Sequence, residues 1–468
     1  MASLLLTLIT VWESLALALV VLVSSYLILN LLVALGRRLP EEQYAKEGEF
    51  PFVSVVIPVY NEPEEIVRAT LASWKAVRYS AFEIIVADDS TVPLELDDLG
   101  VRSIHRTNRS GFKGGAMRNA FQQLDPRSKW MLVFDADFVV EPDILVRFSE
   151  HYRPEVGGIQ GCMSMGRNET PTFLTRYSES FHAVADTLLT GRYRMGGFVG
   201  VQGTVQAYNV AAVRAIGGIA PYSTANEDLD TSFRMRKAGW KIVYDPKITG
   251  RGIAPDRFGV FFTQLTRWTS TTVREYRRHW WSFVRSRHVP WREKVDSVLF
   301  LLTWTIALVV TPTLAFIPWV LLYVHLIPLW ASIAITLLPL PLFMLPALRS
   351  STAKLGVIGW LGYYLLLLPG YFVMFRASLL GVFTDPGFAR TPKSATATVP
   401  ARPTRPDVRP TAAAVVQRLV CDSCGMPLAH KEVLFYAVAA PKVQTLQCRR
   451  CLGRAEWPNA RRAHPYPV

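Results

Sequence analysis

The chain has 468 residues, half of them hydrophobic, with a mean hydropathy of +0.20 and a formal net charge of +14. That length allows a full catalytic domain and more, and the composition is too apolar for a disordered chain or an ordinary soluble one. The positive charge lies beside apolar blocks, as positive-inside patterning and headgroup contact require, which argues against nucleic acid as a partner.

Those blocks run from Leu4 to Leu35, Val298 to Leu348 and Leu355 to Phe383, and each reaches the roughly 20 residues of a membrane crossing. The chain is therefore expected to be an integral protein of the plasma (inner) membrane, in contact with membrane lipids. Residues 1–38 are read as an uncleaved transmembrane anchor. The apolar run is too long for a signal-peptide core, has no basic region before it, and ends in Arg37-Arg38 without a small-residue cleavage pattern. The arginine pair places the chain beyond Arg38 in the cytoplasm.

From Phe52 the pattern becomes strand and helix in alternation. FVSVVIPVY is a strand, Pro63 opens a helix through Trp74, and FEIIVADDS is a strand running into an acidic turn. Gly114 to Leu124 is a helix, KWMLVF the next strand, and Pro142 to Phe148 a further helix. This alternation predicts a parallel sheet in a doubly wound α/β domain over residues 50–270, with ligands at the carboxyl edge of the strands. The polar residues gather at that edge: Tyr60-Asn61-Glu62, Asp88-Asp89-Ser90, and Asp135 with Asp137. The two last carboxylates can hold one hard divalent cation, Mg²⁺ or Mn²⁺, which would neutralise a diphosphate leaving group. A D-x-D triplet alone is equally compatible with two solvated acids in a turn. In SGFKGG, Lys113 stands beside paired glycines before a helix, where backbone N–H groups and an ammonium can meet phosphate; a simple turn accounts for the glycines as well.

Farther on, Asn226-Glu227-Asp228-Leu229-Asp230 opens a helical segment ending at Gly239, with Asn226 as N-cap and the acids at the positive end of the helix dipole. Gln264, Arg267 and Trp268 share a face at helical spacing, suited to a phosphate, sugar hydroxyls and a pyranose face, or simply to an interface helix. Residues 271–296 mix arginine with tryptophan, as a segment in the headgroup layer would. Residues 297–349 allow two transmembrane helices, and 354–383 either cross or return as a re-entrant or interfacial segment. Residues 394–414 are a flexible linker. In the module at 415–456, Cys421, Cys424, Cys448 and Cys451 form two C-x-x-C pairs around the strand-like VLFYAV. That spacing predicts a zinc ribbon holding structural Zn²⁺, with two disulfides as the alternative should the tail lie outside. A protein partner, a regulatory role and a purely structural one are all open to it. Cys162 is expected to be a small buried residue.

PVYNE, ADDS, GFKGGAMRNA, FDAD, NEDLD and QLTRW, in that order between Phe52 and Trp268, resemble the membrane-embedded family 2 glycosyltransferases that include cellulose, glucomannan and hyaluronan synthases. The resemblance implies a nucleotide-sugar-binding, GT-A-like α/β domain and an inverting, metal-dependent transfer of a hexose. It implies nucleotide contacts at Pro58, Tyr60, Glu62, Asp88, Lys113 and Asp135, with Asp88 at the base, Lys113 at the diphosphate, and Asp135 with Asp137 at phosphates and metal. Asp228 becomes the catalytic base that takes the proton of the attacking hydroxyl. Gly203, Thr204, Glu227, Gln264, Arg267 and Trp268 become donor and acceptor contacts. In residues 384–393, FARTPK resembles a gating loop, with Phe388, Thr391 and Lys393 over a cytoplasmic site, which keeps the tail inside. The expected activity is synthesis of a β-linked polysaccharide, with UDP-glucose the favoured donor and GDP-mannose second, because GFKGGAMRNA looks most like the glucomannan synthases. Single addition to a membrane lipid is the alternative acceptor, and an inactive zinc-ribbon scaffold the alternative class. No acid, lysine or tryptophan of the motif set is missing.

Overall fold

The computed structural model describes residues 2–36, 50–219, 225–312 and 357–384, together with two short strands, Leu434–Ala437 and Gln444–Gln447. The expected second crossing within 313–349, the gating residues Phe388, Thr391 and Lys393, the linker, and Cys421, Cys424, Cys448 and Cys451 lie outside the described residues.

The catalytic-size unit is built on β1 (Val53–Val59), β2 (Phe82–Asp88), β3 (Arg102–His105), β4 (Trp130–Val133), β5 (Val139–Val140), β6 (Val156–Met165), β7 (Gln206–Asn209) and β8 (Lys241–Gly252). They form one sheet in the order β3-β2-β1-β4-β7-β6-β8-β5. The first half is parallel, with Val53 opposite both Phe82 and Trp130. The fully parallel sheet expected from the alternation is corrected by β7, which runs against both β4 and β6, and by β5, which runs against β8. The reason is local. β7 has four residues and begins at Gln206, whose side chain accepts from Gly203 N at 2.8 Å and donates to the Tyr208 hydroxyl at 3.0 Å. It is tied by side-chain bonds and carries no apolar run that a reading of hydrophobic pattern would find.

Both sheet faces are covered, which is why β1 is apolar apart from the hydrogen-bonded Ser54. Val53, Val55, Ile57 and Val59 pack with Val67, Leu71 and Trp74 of α2 (Glu64–Lys75). Val56 points the other way, to Ala116, Met117 and Ala120 of α3 (Phe112–Phe121). Successive strand residues thus serve opposite layers.

The remaining helices are α1 (Ala2–Gly36), α4 (Ile144–Ser149), α5 (Phe173–Arg194), α6 (Val210–Ala215), α7 (Glu227–Lys237), α8 (Phe258–Arg285), α9 (Trp291–Thr305) and α10 (Val357–Phe383). α1 lies on α5, where a Cβ at Gly191 would stand 2.2 Å from the Asn30 carbonyl oxygen. Ser14–Gly36 and Trp291–Pro312 are long and apolar enough to cross a membrane, and Pro369–Phe383 is a shorter apolar helix. α10 continues through Pro369. The QLTRW stretch, expected as a separate region, runs in one helix, α8, into the arginine-tryptophan stretch, which breaks at 286–290 and resumes in α9. The inner face of α8 buries Val273, Tyr276 and Phe283, while Trp281 is exposed. Cys162 is only partly buried.

The second unit, Pro400–Val468, contributes β9 (Leu434–Ala437) and β10 (Gln444–Gln447), paired antiparallel with Gln444 opposite Ala437. β9 coincides with the strand expected from VLFYAV.

Candidate active site

The acids of β4 follow directly from its burial. Phe134 and Ala136 face the core, so Asp135 emerges at the sheet edge with Asp137 beyond it. The Asp135 amide donates to Thr204 Oγ1 at 2.9 Å, and Asp137 Oδ2 accepts from Ile253 N at 3.1 Å. Both residues line a cavity of about 380 Å³, as do Pro58, Tyr60, Glu62, Lys113, Gly203, Thr204, Glu227, Asp228, Gln264, Arg267 and Trp268. Of the expected site residues within the described chain, only Asp88 is not on its wall.

Lys113 enters from the first turn of α3, whose N-cap Gly111 has a φ of 75°. A Cβ at Gly115 would lie 2.0 Å from the Ser110 carbonyl oxygen, so the loop can fold back this tightly only over glycine. Lys113 Nζ donates to Asp135 Oδ1 at 2.6 Å and to the Gly203 carbonyl. Burial works to lower its pKa, but Asp135, Glu227 and Asp228 outweigh this and hold the ammonium above its ordinary range.

Asn226 caps α7 as expected, accepting from Leu229 N at 3.3 Å, which projects Glu227 and Asp228 into the cavity. Burial and the adjacent Glu227 carboxylate push Asp228 up to about 7, against the pull of Lys113. Glu227 is raised by burial as well, with Lys113 opposing. Across the cavity, Arg267 of α8 is lowered by burial and supported by Asp135, Glu227 and Asp228. Gln264 Oε1 is buried with no hydrogen-bond partner among the described residues, an acceptor available to a ligand hydroxyl. Trp268 stacks with Phe181 at 6.3 Å between ring centroids and meets His182 edge-on at 5.7 Å.

Asp88 is fully buried behind this wall. Its carboxylate accepts from Ser90 N at 2.8 Å and Leu94 N at 3.1 Å and pairs with His105 Nδ1 at 3.3 Å, so it shapes the loop after β2. The next residue, Asp89, faces the cavity and is gripped by Arg106 at 2.6 and 2.5 Å. Arg109 also lines the cavity, its guanidinium 3.3 Å from the centre of the Tyr60 ring. Neither Asp89 nor Arg109 stood out in the sequence. The RTNRSGFKGG context, basic just ahead of the glycine turn, was the available signal for Arg109. Phe181, His182, Arg192, Phe300 and Trp304 at the apolar end of the cavity had none, since α5 was not recognised and α9 read as a membrane segment.

The donor set fits a hard divalent cation at Asp135 and Asp137. Both offer carboxylate oxygens to one cavity, and Asp135 already holds a cationic group, the Lys113 ammonium. A second convergence of Asp230, Glu275 and His279 does not call for an ion. Asp230 pairs with Arg234 at 2.8 Å and His279 at 2.8 Å, and Glu275 pairs with Arg274 at 3.0 Å and Arg278 at 3.3 Å. The arginines compensate the acids, and the group clamps α7 to α8 behind the site.

The family described as "Glycosyltransferase like family 2" matches residues 51–271, the span holding the whole sheet and the cavity's acids. Residues 51–271 are thus similar to the domains of that family. The chain is 28% identical over 344 residues to the probable glucomannan 4-beta-mannosyltransferase 1 of Arabidopsis thaliana, covering 65% of this chain and 60% of that protein. It is 28% identical over 351 residues to glucomannan 4-beta-mannosyltransferase 2 of the same plant, covering 66% and 63%. The chain thus spans less than two thirds of the length of these curated relatives. Among solved structures, the mannosyltransferase PcManGT from Pyrobaculum calidifontis, in complex with GDP-Man and Mn²⁺, superposes with a TM-score of 0.57 at 15% identity, over 80% of this chain and 99% of that one. At that identity the likeness is one of fold.

Proposed function

We propose that the protein is an inverting, divalent-metal-dependent hexosyltransferase of the membrane that extends a β-linked glycan from a nucleotide sugar, with GDP-mannose as donor. The observation that carries the reading is Asp228: a carboxylate poised at about 7, in one cavity with Lys113, Arg267 and the Asp135-Asp137 pair. A group with that pKa can accept a hydroxyl proton near neutral pH. As the acceptor oxygen bonds to the anomeric carbon, the bond from that carbon to the diphosphate oxygen breaks, and Asp228 receives the hydroxyl proton. Lys113 and Arg267 balance the charge of the departing diphosphate. Asp135 and Asp137 would hold Mg²⁺ or Mn²⁺, which when bound supplies further charge neutralisation to the diphosphate. Gln264 receives a sugar hydroxyl at its buried Oε1. The similarity to glucomannan mannosyltransferases and the GDP-Man and Mn²⁺ of the solved neighbour favour GDP-mannose over UDP-glucose.

The two apolar helices Ser14–Gly36 and Trp291–Pro312 support membrane embedding, with the catalytic side cytoplasmic by the position of Arg37-Arg38. The cysteine pairs of the tail are proposed to hold one zinc ion, which metal analysis of the full chain tests: about one zinc per chain supports it and none removes it.

The test of the transferase is a donor panel with the protein in lipid, Mn²⁺ or Mg²⁺, and products sized by chromatography. A long product from GDP-mannose supports the proposal. A single sugar on extracted lipid replaces the polymer acceptor with a lipid, and a product from UDP-glucose alone replaces the donor. Asp228→Asn is expected to lower transfer by about 10²- to 10⁴-fold with nucleotide binding retained. Normal turnover in that variant removes the base assignment.

A further inference from the structure

The candidate membrane span Trp291–Pro312 carries an acid, Asp296, in its second turn, and that acid is buried. A carboxylate in so apolar a setting is costly unless it is fully bonded. Here it is. Tyr26 of α1 donates its hydroxyl to Oδ1 at 2.8 Å, Arg192 of α5 bonds both oxygens at 2.8 to 3.2 Å, and the backbone N–H of Phe198 donates to Oδ2 at 2.8 Å. Arg192 also donates to the Phe198 carbonyl and lies over the Phe300 ring at 3.7 Å. The chain passes so close to Asp296 that a Cβ at Gly197 would stand 2.5 Å from its carboxyl carbon.

Phe198 begins a loop that reaches the centre of the cavity within six residues. Val201 N bonds Ser232 Oγ at 3.0 Å, Gln202 N bonds Gln160 Oε1 at 2.7 Å, the Gly203 carbonyl accepts from Lys113, and Thr204 Oγ1 accepts from the Asp135 amide. One end of this loop is thus fixed by helices of the membrane region and the other by the groups that face the diphosphate. Apolar packing would hold α1, α5 and α9 together at least as well as an ion pair; a bonded ion pair adds fixed register and direction.

We infer that Asp296, with Tyr26 and Arg192, forms a positioning hub through which the N-terminal helix sets the active-site loop 198–204, so that α1 is a working part of the site as well as an anchor. Asp296 and Tyr26 are positioning residues: they act through Phe198 and the loop. The kinetic consequence rests on the transferase reading, whereas the placement of the loop does not.

The experiment uses the full chain in lipid nanodiscs and compares wild type with Tyr26→Phe, Asp296→Asn and Asp296→Ala. Amide hydrogen exchange across 198–204 is read beside mannosyl transfer. Tyr26→Phe removes one hydroxyl and is expected to speed exchange in that segment about 5- to 10-fold, leaving β1, β2 and β4 unchanged, and to lower kcat by a similar factor. Asp296→Asn keeps one carbonyl oxygen for Tyr26 and Arg192 and is expected to lose less than Asp296→Ala. Unchanged exchange at 198–204 overturns the inference. So does exchange that rises equally throughout the sheet, which marks the hub as ordinary structural support. A wild-type protein inactive with every donor removes the transferase reading, and the exchange comparison still decides the hub.

Discussion

Asp228 pairs a catalytic demand with a cost to folding. Burial and Glu227 hold it at about 7, well above its ordinary 3.8. In its proposed role as base it works only when ionised, so kcat/KM should rise about tenfold per pH unit below 7 and level off above it. Stability runs in the opposite sense. Below the unfolded pKa both states are protonated; as pH rises toward 7 the unfolded chain ionises first and folding loses ground. Asp228→Asn, which escapes this, should melt close to wild type at about pH 4 and measurably higher at about pH 8. An equal shift at both pH values would show that another group carries the raised pKa. The motif picks out Asp228 but not its pKa, because that depends on burial and on Lys113 arriving from a distant part of the chain. Asp88 shows the same limit: the motif marks it, but not that its carboxylate is buried and bonded to Ser90, Leu94 and His105 while the neighbouring Asp89 lines the cavity.

At the scale of elements, β1, β2 and β4 were readable because they are largely apolar runs ending in polar turns, whereas β3, the mostly exposed RSIH, offers no such run. α5 was not readable either. Its buried face carries Ser178, Glu179, Ser180 and His182 among Leu174, Tyr177 and Leu189, so no apolar stripe marks it. The clamp between α7 and α8 was also hidden, since Asp230, Glu275 and His279 meet only once both helices are packed. Asp230 and Glu275 have no exposure to water, and breaking one partner of such a network leaves charge buried without full compensation. His279→Ala should therefore lower the melting temperature by several degrees and, by letting α7 move on α8, reduce transfer while the donor still binds. Added Mn²⁺ should not restore the loss. Recovery with metal would identify the cluster as an ion site after all.

At the scale of the molecule, charge and tryptophan coincide at one corner, which we propose meets lipid. α8 ends and α9 begins with Trp281 and Trp291 exposed at 62% and 69%, and arginines lie over both rings, Arg285 at 4.5 Å and Arg292 at 5.8 Å. In water exposed indoles such as these would be a liability; in the headgroup layer the ring and the guanidinium each find a suitable environment. This corner also joins α8, which carries Gln264, Arg267 and Trp268, to α9, which carries Asp296, so the depth at which it sits fixes the cavity relative to the bilayer. Quenching of tryptophan fluorescence by brominated lipids tests this. Trp281→Phe should remove a quenchable part of the emission from protein in lipid, and raising salt should reduce that part more in anionic than in neutral membranes, because the arginines contribute through screened attraction. Emission from Trp281 that brominated lipid leaves untouched would place this end of α8 in water and turn the catalytic domain away from the membrane surface.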